Sequence, residues 1–526
     1  MFDKIPKKQN SETVKKLPIG IQTFSEIITG NYYYVDKTNI ITDLYKEGKY
    51  YFLSRPRRFG KSLFLDTLKE AFEGNKALFA GLYLENNWDW NTKYPVIRFD
   101  FGNGVLKEQS ILEQKIFEIT NYHREINGIE NFTNQTLSGK IEELIRNLNK
   151  KYSQKVVILV DEYDKPILDN ITDKELAKQM RDGLRNLYSV FKGMDAHIKF
   201  VFITGVSKFS KINLFSGLNN LKDITLDNRY ASICGYTEKE LSYFEERLID
   251  VNRDELKLWY NGYNFLGDSV YNPFDILLFL DSKNYKNYWF ETGNPSFLID
   301  LIKENQYSPL NLETVKLMDF HLSSFDIDSI TLENLLFQTG YLTISHTERL
   351  GANTVYYLKY PNQEVKSSLT DVILHFLTNT ITPNQDNKIK LFDSLKKGNL
   401  DNLQKIFHAF FASIPHDWYR KNTLANYEGY YASIFYCYFT ALGFDVRVED
   451  VTNHGQVDMT VFFEEKVYVF EFKVLELTDA NSALAQIKER KYYEKYLTSI
   501  NKEIYLVGVT FSRDNRNITN CEWEKL

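Results

Sequence analysis

Apolar residues follow two rhythms along the first 230 positions. Short apolar strand candidates lie at Tyr50–Leu53, Val96–Phe101, Val156–Val160 and Phe200–Thr204. Between them apolar positions recur every three or four residues, as in Phe64, Leu65, Leu68 and Phe72, the stripe of an amphipathic helix. Such alternation predicts a parallel sheet covered on both sides. From about Gly235 to Asn387 the helical rhythm dominates, with Leu241, Phe244 and Leu248, then Ile276, Leu277 and Leu280. Turn clusters at Asn261-Gly262 and Gly293-Asn294-Pro295 interrupt it, and a short hairpin is expected near Tyr341–Ile344 and Val355–Leu358. Lys388 to about Arg420 continues as helix. The last hundred residues return to mixed α/β. A helix near Glu428–Leu442 precedes strands at Phe444–Val448, Gln456–Phe463 and Lys466–Val474, then a helix over Asn481–Tyr496 and a strand at Ile504–Thr510. The pattern predicts an α/β chain in three parts: residues 1–235, a mostly helical middle at 236–420, and 421–526.

At 526 residues the chain exceeds what one core can hold. With 11 prolines and 25 glycines it is too poor in both for long disordered linkers. Cys234, Cys437 and Cys521 are far apart and odd in number, which excludes a disulfide framework and points to a reducing, cytoplasmic setting. Met1 to Lys16 is polar and lysine-bearing with no apolar h-region, so no secretory signal is expected. No run of about 18 apolar residues occurs, which excludes a membrane-spanning helix. The net charge of −6 argues against a protein that coats nucleic acid, since such binding rests on neutralised phosphates. Any nucleic-acid contact must be local.

Arg55-Pro-Arg-Arg-Phe-Gly60-Lys61-Ser62 lies between the first strand and the first helix. Gly60 lets the backbone approach a phosphate, Lys61 supplies charge to the β- and γ-phosphates, and the Ser62 hydroxyl reaches Mg²⁺. The helix adds its N-terminal amides, with Arg58 and Phe59 completing the loop. A full phosphate-loop motif has Gly where this chain has Arg55. The apolar run Val156–Val160 ends in Asp161-Glu162, a carboxylate pair at a strand tip. In an ATPase Asp161 would hold Mg²⁺ and Glu162 would orient or deprotonate the attacking water. The strand Lys199–Ser207 ends in hydroxyls that would either face the γ-phosphate or simply close the strand.

Pro18–Phe24, Tyr32–Thr38, Arg55–Ser62, Asp161–Pro166, Ile203–Ser207 and Cys234–Thr237 together resemble the AAA-ATPase-like family of bacterial proteins, and Asn272-Pro273 and Trp289–Asn294 extend the resemblance. The resemblance covers most of the chain. It implies a P-loop NTPase parallel sheet, ATP as ligand, a possible homo-oligomer through the ATPase domain, and a C-terminal domain of the PD-(D/E)XK nuclease type. An Arg-rich loop is usual in that family. No arginine finger is assigned by it; Arg229, Arg57 and Arg58 are the candidates, each equally readable as an ordinary surface arginine.

The C-terminal residues carry their own argument. Asp458 opens one strand, and Glu471-Phe-Lys473 lies in the next. Residues two apart on a strand share a face, so Glu471 and Lys473 point one way and Phe470, Phe472 and Val474 the other. Acid and lysine on an otherwise apolar strand are costly to bury without a purpose. Asp458 and Glu471 are the expected ligands for Mg²⁺ or Mn²⁺, and Lys473 the group that positions water or stabilises the transition state. Asp followed by Glu-x-Lys across a hairpin is the PD-(D/E)XK pattern of a restriction-endonuclease-like fold, with Val457 in place of Pro. By resemblance to that superfamily, Glu428 is a further acidic ligand and Gln486, before Tyr492 and Tyr493, a site neighbour. Lys488, Arg490, Lys491 and Lys495 form either a local basic surface or a solvated face. Residues 421–526 hold twelve Lys and Arg against sixteen Asp and Glu, a net −4, so a nucleic-acid substrate would need metal or a grip elsewhere. His454 is the one histidine near the acids.

Two functions stay open on the sequence alone. One is ATP binding and hydrolysis gating a metal-dependent nuclease that acts on DNA or RNA. The other is a nucleotide-dependent interaction switch whose nuclease-like domain only binds.

Overall fold

The apolar runs of the N-terminal region are strands in the protein's structure, a computed structural model. It describes residues 15–209, 214–215, 218, 220–292, 301–302, 309–323, 327, 331–378, 382–414, 428–477, 482–497 and 502–526. Strands β1 (Tyr50–Ser54), β2 (Val96–Asp100), β3 (Val156–Asp161), β4 (Ile198–Gly205) and the short β5 (Lys222–Asp223) form one sheet in the order β2-β3-β4-β1-β5. Every neighbouring pair is parallel. Helices α1 (Lys61–Phe72), α2 (Gln109–Ile126), α3 (Leu137–Tyr152) and α4 (Lys174–Gly193) make the crossovers that parallel pairing requires. Residues Val156–Val160 are completely buried. Each such side chain contributes about 1.5–3 kcal/mol, which anchors β3 firmly enough to carry a polar group at its end. Parallel strands end on the same side of a sheet, so the tips of β1, β3 and β4 meet at one edge, the usual ligand position in open α/β sheets.

Among the described residues the chain folds as two compact units. One comprises residues through Lys257, Asn261–Trp289 and Ser323–Ile330; the other comprises Leu258–Tyr260, Phe290–Leu322 and Thr331–Leu526. The middle of the chain therefore contributes to both. It is rich in helix, and it also holds the hairpin, Thr343–Leu350 against Asn353–Lys359, with Lys316–Met318 as a third antiparallel strand.

The second unit is built on a mixed sheet of β6 (Asp445–Thr452), β7 (Gly455–Phe463), β8 (Lys466–Val474), β9 (Glu503–Ser512) and β10 (Asn517–Lys525), paired in that order. Only β8 and β9 run parallel. Helices α5 (Leu403–Ala412) and α6 (Glu428–Ala441) cover one face, where Phe407, Phe435 and Phe439 pack with Phe470, Phe472 and Phe511. Helix α7 (Ala483–Glu489) lies in the crossover from β8 to β9 and covers the other, with Ile487 and Tyr492 on Val457, Val467, Val469 and Leu506. A helix over Asn481–Tyr496 is corrected: α7 stops at Glu489, and Lys491 takes a left-handed φ of +51°, which ends the helical run. β10, an edge strand, carries alternating exposed polar residues and gave no apolar run to read.

Candidate functional site

β1 ends in a loop that turns into α1 at Gly60, whose φ of +93° is the left-handed conformation that favours glycine. Lys61, the first residue of α1, is only 7% exposed. Its ammonium reaches back across the loop and donates to the carbonyls of Arg55 and Pro56, both at 2.9 Å. Burial lowers its pKa, opposed by the nearby Cys234, Asp161 and Glu162. The Ser62 side chain lies close enough to the Asp161 carboxylate, at the tip of β3, to help hold its pKa down. Asp161 is itself almost fully buried; burial raises its pKa, and the Arg98 guanidinium, 3.1 Å away, opposes that most. Asp161 Oδ1 accepts the Glu162 N–H at 3.1 Å. Glu162 has φ +48°, an uncommon conformation for a side-chain-bearing residue and one that concentrates at functional sites. A Cβ on Gly102 would stand 3.1 Å from Glu162 Oε2 and 3.0 Å from Asp100 Oδ1, so that glycine makes room for two carboxylates. Burial raises the pKa of Glu162, and Lys61 pulls it down.

Arg55, standing where the motif has glycine, is completely buried. Its Nη1 donates to the Ser54 and Thr225 carbonyls at 2.8 Å, its Nη2 to the Tyr230 carbonyl at 3.1 Å, and its guanidinium lies 3.8 Å from the centre of the Phe265 ring. Burial draws its pKa down to about 10. The side chain braces the loop from behind, which explains how the loop holds its shape without that glycine.

In the second unit the β7–β8 ladder ends at Met459 opposite Phe470. One further step of that register sets Asp458 opposite Glu471. Asp458 Oδ2 accepts the Phe472 N–H at 2.7 Å, which ties the first acid to the strand of the second. Glu471 is 4% exposed and accepts from the Gln486 amide of α7. Lys473, two residues on, is half-buried on the same face of β8. The Tyr492 phenol completes the cluster: burial raises its pKa, Glu471 and Asp458 add to the rise, and Gln486 and Arg490 oppose it. Two carboxylates at one end of a hairpin fit a hard cation that keeps several of its waters. Among the described residues no group of three or more acidic, histidine or cysteine side chains could hold a metal.

Two family models match the regions that hold these residues. Residues 18–215 match the AAA-ATPase-like model, described as a predicted AAA-ATPase, and residues 426–521 match the PD-(D/E)XK nuclease superfamily. An uncharacterized protein from the vnfD 5′ region of Azotobacter chroococcum mcd 1 is 52% identical over 515 residues, 97% of this chain and 99% of that protein. The chain belongs to the AAA-ATPase-like family and ends in a PD-(D/E)XK nuclease superfamily domain.

Within this AAA-ATPase-like protein the expected site residues separate. Lys61, Ser62, Asp161 and Glu162 come together at one sheet edge, and Asp458, Glu471, Lys473 and Gln486 at another. Arg58 has φ +66° and lays its exposed guanidinium 4.9 Å from the Phe274 ring centre. The Phe59 ring is buried against Tyr263 and Phe265, so its backbone is what it can offer a ligand. Glu428 starts α6, but its side chain lies outside the described residues. Arg229 is held by Asp227 and Glu47, at 2.6 and 2.7 Å. Ser207 donates to the buried Asp164, which also accepts the Val206 and Ser207 amides; Asp164 shapes the turn after β4 rather than facing water. The basic surface expected here is largely neutralised, since Lys488 of α7 pairs with Glu524, and Lys491 and Lys495, beyond the end of α7, pair with Glu494 and Asp450. His454 stands 3.8 Å from Glu494. Sequence reading missed Arg98, Asp100 and Asp66. The one signal for Arg98 and Asp100 was a charge at alternate positions in the second half of β2; Asp66, on α1, gave none.

Proposed function

We propose that this protein binds and hydrolyses ATP in its N-terminal unit and cuts nucleic acid, DNA or RNA, with Mg²⁺ or Mn²⁺ in its C-terminal domain, the nucleotide state gating the cut. The observation that carries the first half is the Lys61–Ser62–Asp161–Glu162 set at the tips of β1 and β3. Lys61 is poised to exchange the two loop carbonyls for phosphate oxygens. Ser62 and Asp161 supply oxygens suited to the magnesium of Mg–ATP. Glu162, half-buried with a raised pKa, is suited to take a proton from water.

In the C-terminal domain a bound divalent cation supplies a Lewis acid for water and for the scissile phosphate. Asp458 and Glu471 are the residues to hold it. Gln486 fixes the Glu471 carboxylate, the Phe472 amide fixes Asp458, and Lys473 brings positive charge to the rim of the same face. Three free cysteines, two of them buried, suit a reducing, cytoplasmic setting. Among the described residues no helix is long and apolar enough to cross a membrane. Self-association through the ATPase domain would follow the family pattern.

The deciding experiment is cleavage of supercoiled plasmid and of single-stranded RNA with Mg²⁺ or Mn²⁺, with and without ATP, by the wild type, Lys61→Ala and Lys473→Ala. Metal-dependent cutting that Lys473→Ala abolishes and Lys61→Ala alters supports the proposal. Cutting by neither metal, with binding retained, would establish the interaction-switch reading instead.

A further inference from the structure

Arg98 lies between the two halves of the nucleotide site. Its Nη1 is 3.3 Å from Asp66 Oδ1, on α1, and its Nη2 is 3.1 Å from Asp161 Oδ2, at the tip of β3. Asp100 Oδ2 stands 3.6 Å from the same Nη2. Asp66 and Asp161 are nearly inaccessible, whereas Arg98 keeps partial contact with solvent at the wall of a cavity of about 780 Å³ that Asp66 and Asp100 also line. The chain of contacts continues at both ends. Asp66 Oδ2 accepts the Phe24 N–H at 2.8 Å, and Asp161 Oδ1 accepts the Glu162 N–H. The Pro18–Phe24 segment, part of the sequence resemblance yet without a role in phosphate contact, is thus joined through one arginine to the carboxylates of β3.

We propose that Arg98 is a positioning residue of the ATP site, a clasp that sets α1, which carries Lys61 and Ser62, in register with Asp161 and Glu162. The proposal rests on the reading of this site as an ATPase. A guanidinium is a planar fork whose donors can meet two carboxylates at once. One edge of Arg98 is spent on the helix that holds the phosphate loop, the other on the strand that holds the metal and water ligands. Neither helix nor strand can shift without breaking one of these contacts. The Asp161 carboxylate, held at one oxygen by Arg98 and at the other by the Glu162 amide, has its rotation fixed and in turn fixes the left-handed turn at Glu162. A lysine at 98 has the charge but a single ammonium, so it can satisfy Asp66 or Asp161 well and the pair poorly.

The test uses full-length Arg98→Met and Arg98→Lys beside wild type, with circular dichroism to establish that each is folded. ATP binding without metal, read with a fluorescent ATP analogue in EDTA, should stay within about threefold of wild type, because Lys61 and the loop amides are untouched. Hydrogen exchange of nucleotide-free protein should quicken at least about tenfold in peptides containing Phe24 and Glu162, and stay unchanged in Val156–Val160. The kcat for ATP should fall about tenfold or more in Arg98→Met with KM little changed, and Arg98→Lys should recover part of it. A folded Arg98→Met with wild-type kcat, or with unchanged exchange at Glu162, overturns the clasp. So does a lower melting temperature with kcat intact, which marks a purely structural ion pair. Wild-type ATP binding is scored separately: if the wild type binds no ATP, the ATPase reading fails and the clasp with it.

Discussion

Replacing Arg55 tests whether a buried guanidinium has taken over the structural work of the missing glycine. In Arg55→Met the Ser54, Thr225 and Tyr230 carbonyls lose their charged donor, and the Phe265 ring loses its cation. Hydrogen bonds to charged groups contribute about 1.5–3 kcal/mol each, and a desolvated cation–π contact about 2 kcal/mol. Against this, the variant no longer buries a charge, whose cost shows in the Arg55 pKa drawn down to about 10. Desolvation of one ion is several kcal/mol, so roughly half of the gross loss is offset. The net expectation is about 3–5 kcal/mol. At about 2–4 °C per kcal/mol the N-terminal unit should melt about 6–20 °C lower by scanning calorimetry. ATP affinity should fall as well, because the Arg55 and Pro56 carbonyls that hold Lys61 move with the loop. Arg55→Lys should lie between, since one ammonium cannot span three carbonyls. If Arg55→Met melts within about 1 °C of wild type and binds ATP normally, the brace is not what holds the loop.

Lys61→Ala should lose ATP affinity, or keep binding and lose turnover; a radiolabelled-phosphate release assay at wild-type rate would remove Lys61 from the site. Glu162→Gln should trap bound ATP. In the wild type the acid limb of the ATPase pH profile should lie above the ordinary carboxylate value of 4.5, because burial raises the Glu162 pKa and only the ionised form accepts a proton; a wild-type limb at or below 4.5 would assign it to another group. Asp458→Asn and Glu471→Gln should lose metal binding, read by calorimetry, together with cleavage, whereas Lys473→Ala should lose cleavage by about a hundredfold with metal still bound. Glu476, which accepts from Ser512 and the Arg513 amide, has its pKa lowered to about 2. Its stabilisation is therefore present above pH 4.5 and lost as pH falls towards 2, so Glu476→Gln should flatten the acid side of the stability profile of the C-terminal domain. Glu465→Gln, in the exposed β7–β8 turn, is the control for the cleavage variants.

What the sequence made legible was whatever an apolar core enforces. The β1, β3 and β4 runs and the β7–β8 hairpin follow from period and burial, so their tips could be located to within a residue or two. Motif spacing then placed Lys61 at the start of the helix after β1, Asp161 at the tip of β3 and Glu471 within β8. What escaped depends on partners distant in sequence. Arg55 could be read only as a departure from a motif, since its acceptors at 225 and 230 lie 170 residues or more away. Arg98 reads as an ordinary charge on an edge strand until Asp66 and Asp161 are seen on either side of it. Lys488 and Lys495 read as part of a basic face until their acids, Glu524 and Asp450, are brought up against them.

If both sites work as proposed, they solve one problem by the same device. A carboxylate that must bind a cation has to be held to within a fraction of an ångström, yet it resists burial. In both units it follows a run of buried strand residues: Val156–Val160 before Asp161, which ends β3, and Val467–Phe470 before Glu471, inside β8. The core fixes the backbone from which each carboxylate projects. A neighbouring element then fixes the side chain, through the Arg98 guanidinium on β2 in the first case and the Gln486 amide on the crossover helix in the second. The difference between these partners matters. An arginine shares a carboxylate's charge, which suits a site where ATP brings its own magnesium and several negative charges. An amide orients a carboxylate without cancelling its charge, which suits a site that must recruit a cation from solution before a phosphodiester can approach. Gln486→Lys is the substitution that isolates this distinction: it should keep a donor beside Glu471 but weaken metal binding, whereas Arg98→Gln should not mimic the wild-type nucleotide site.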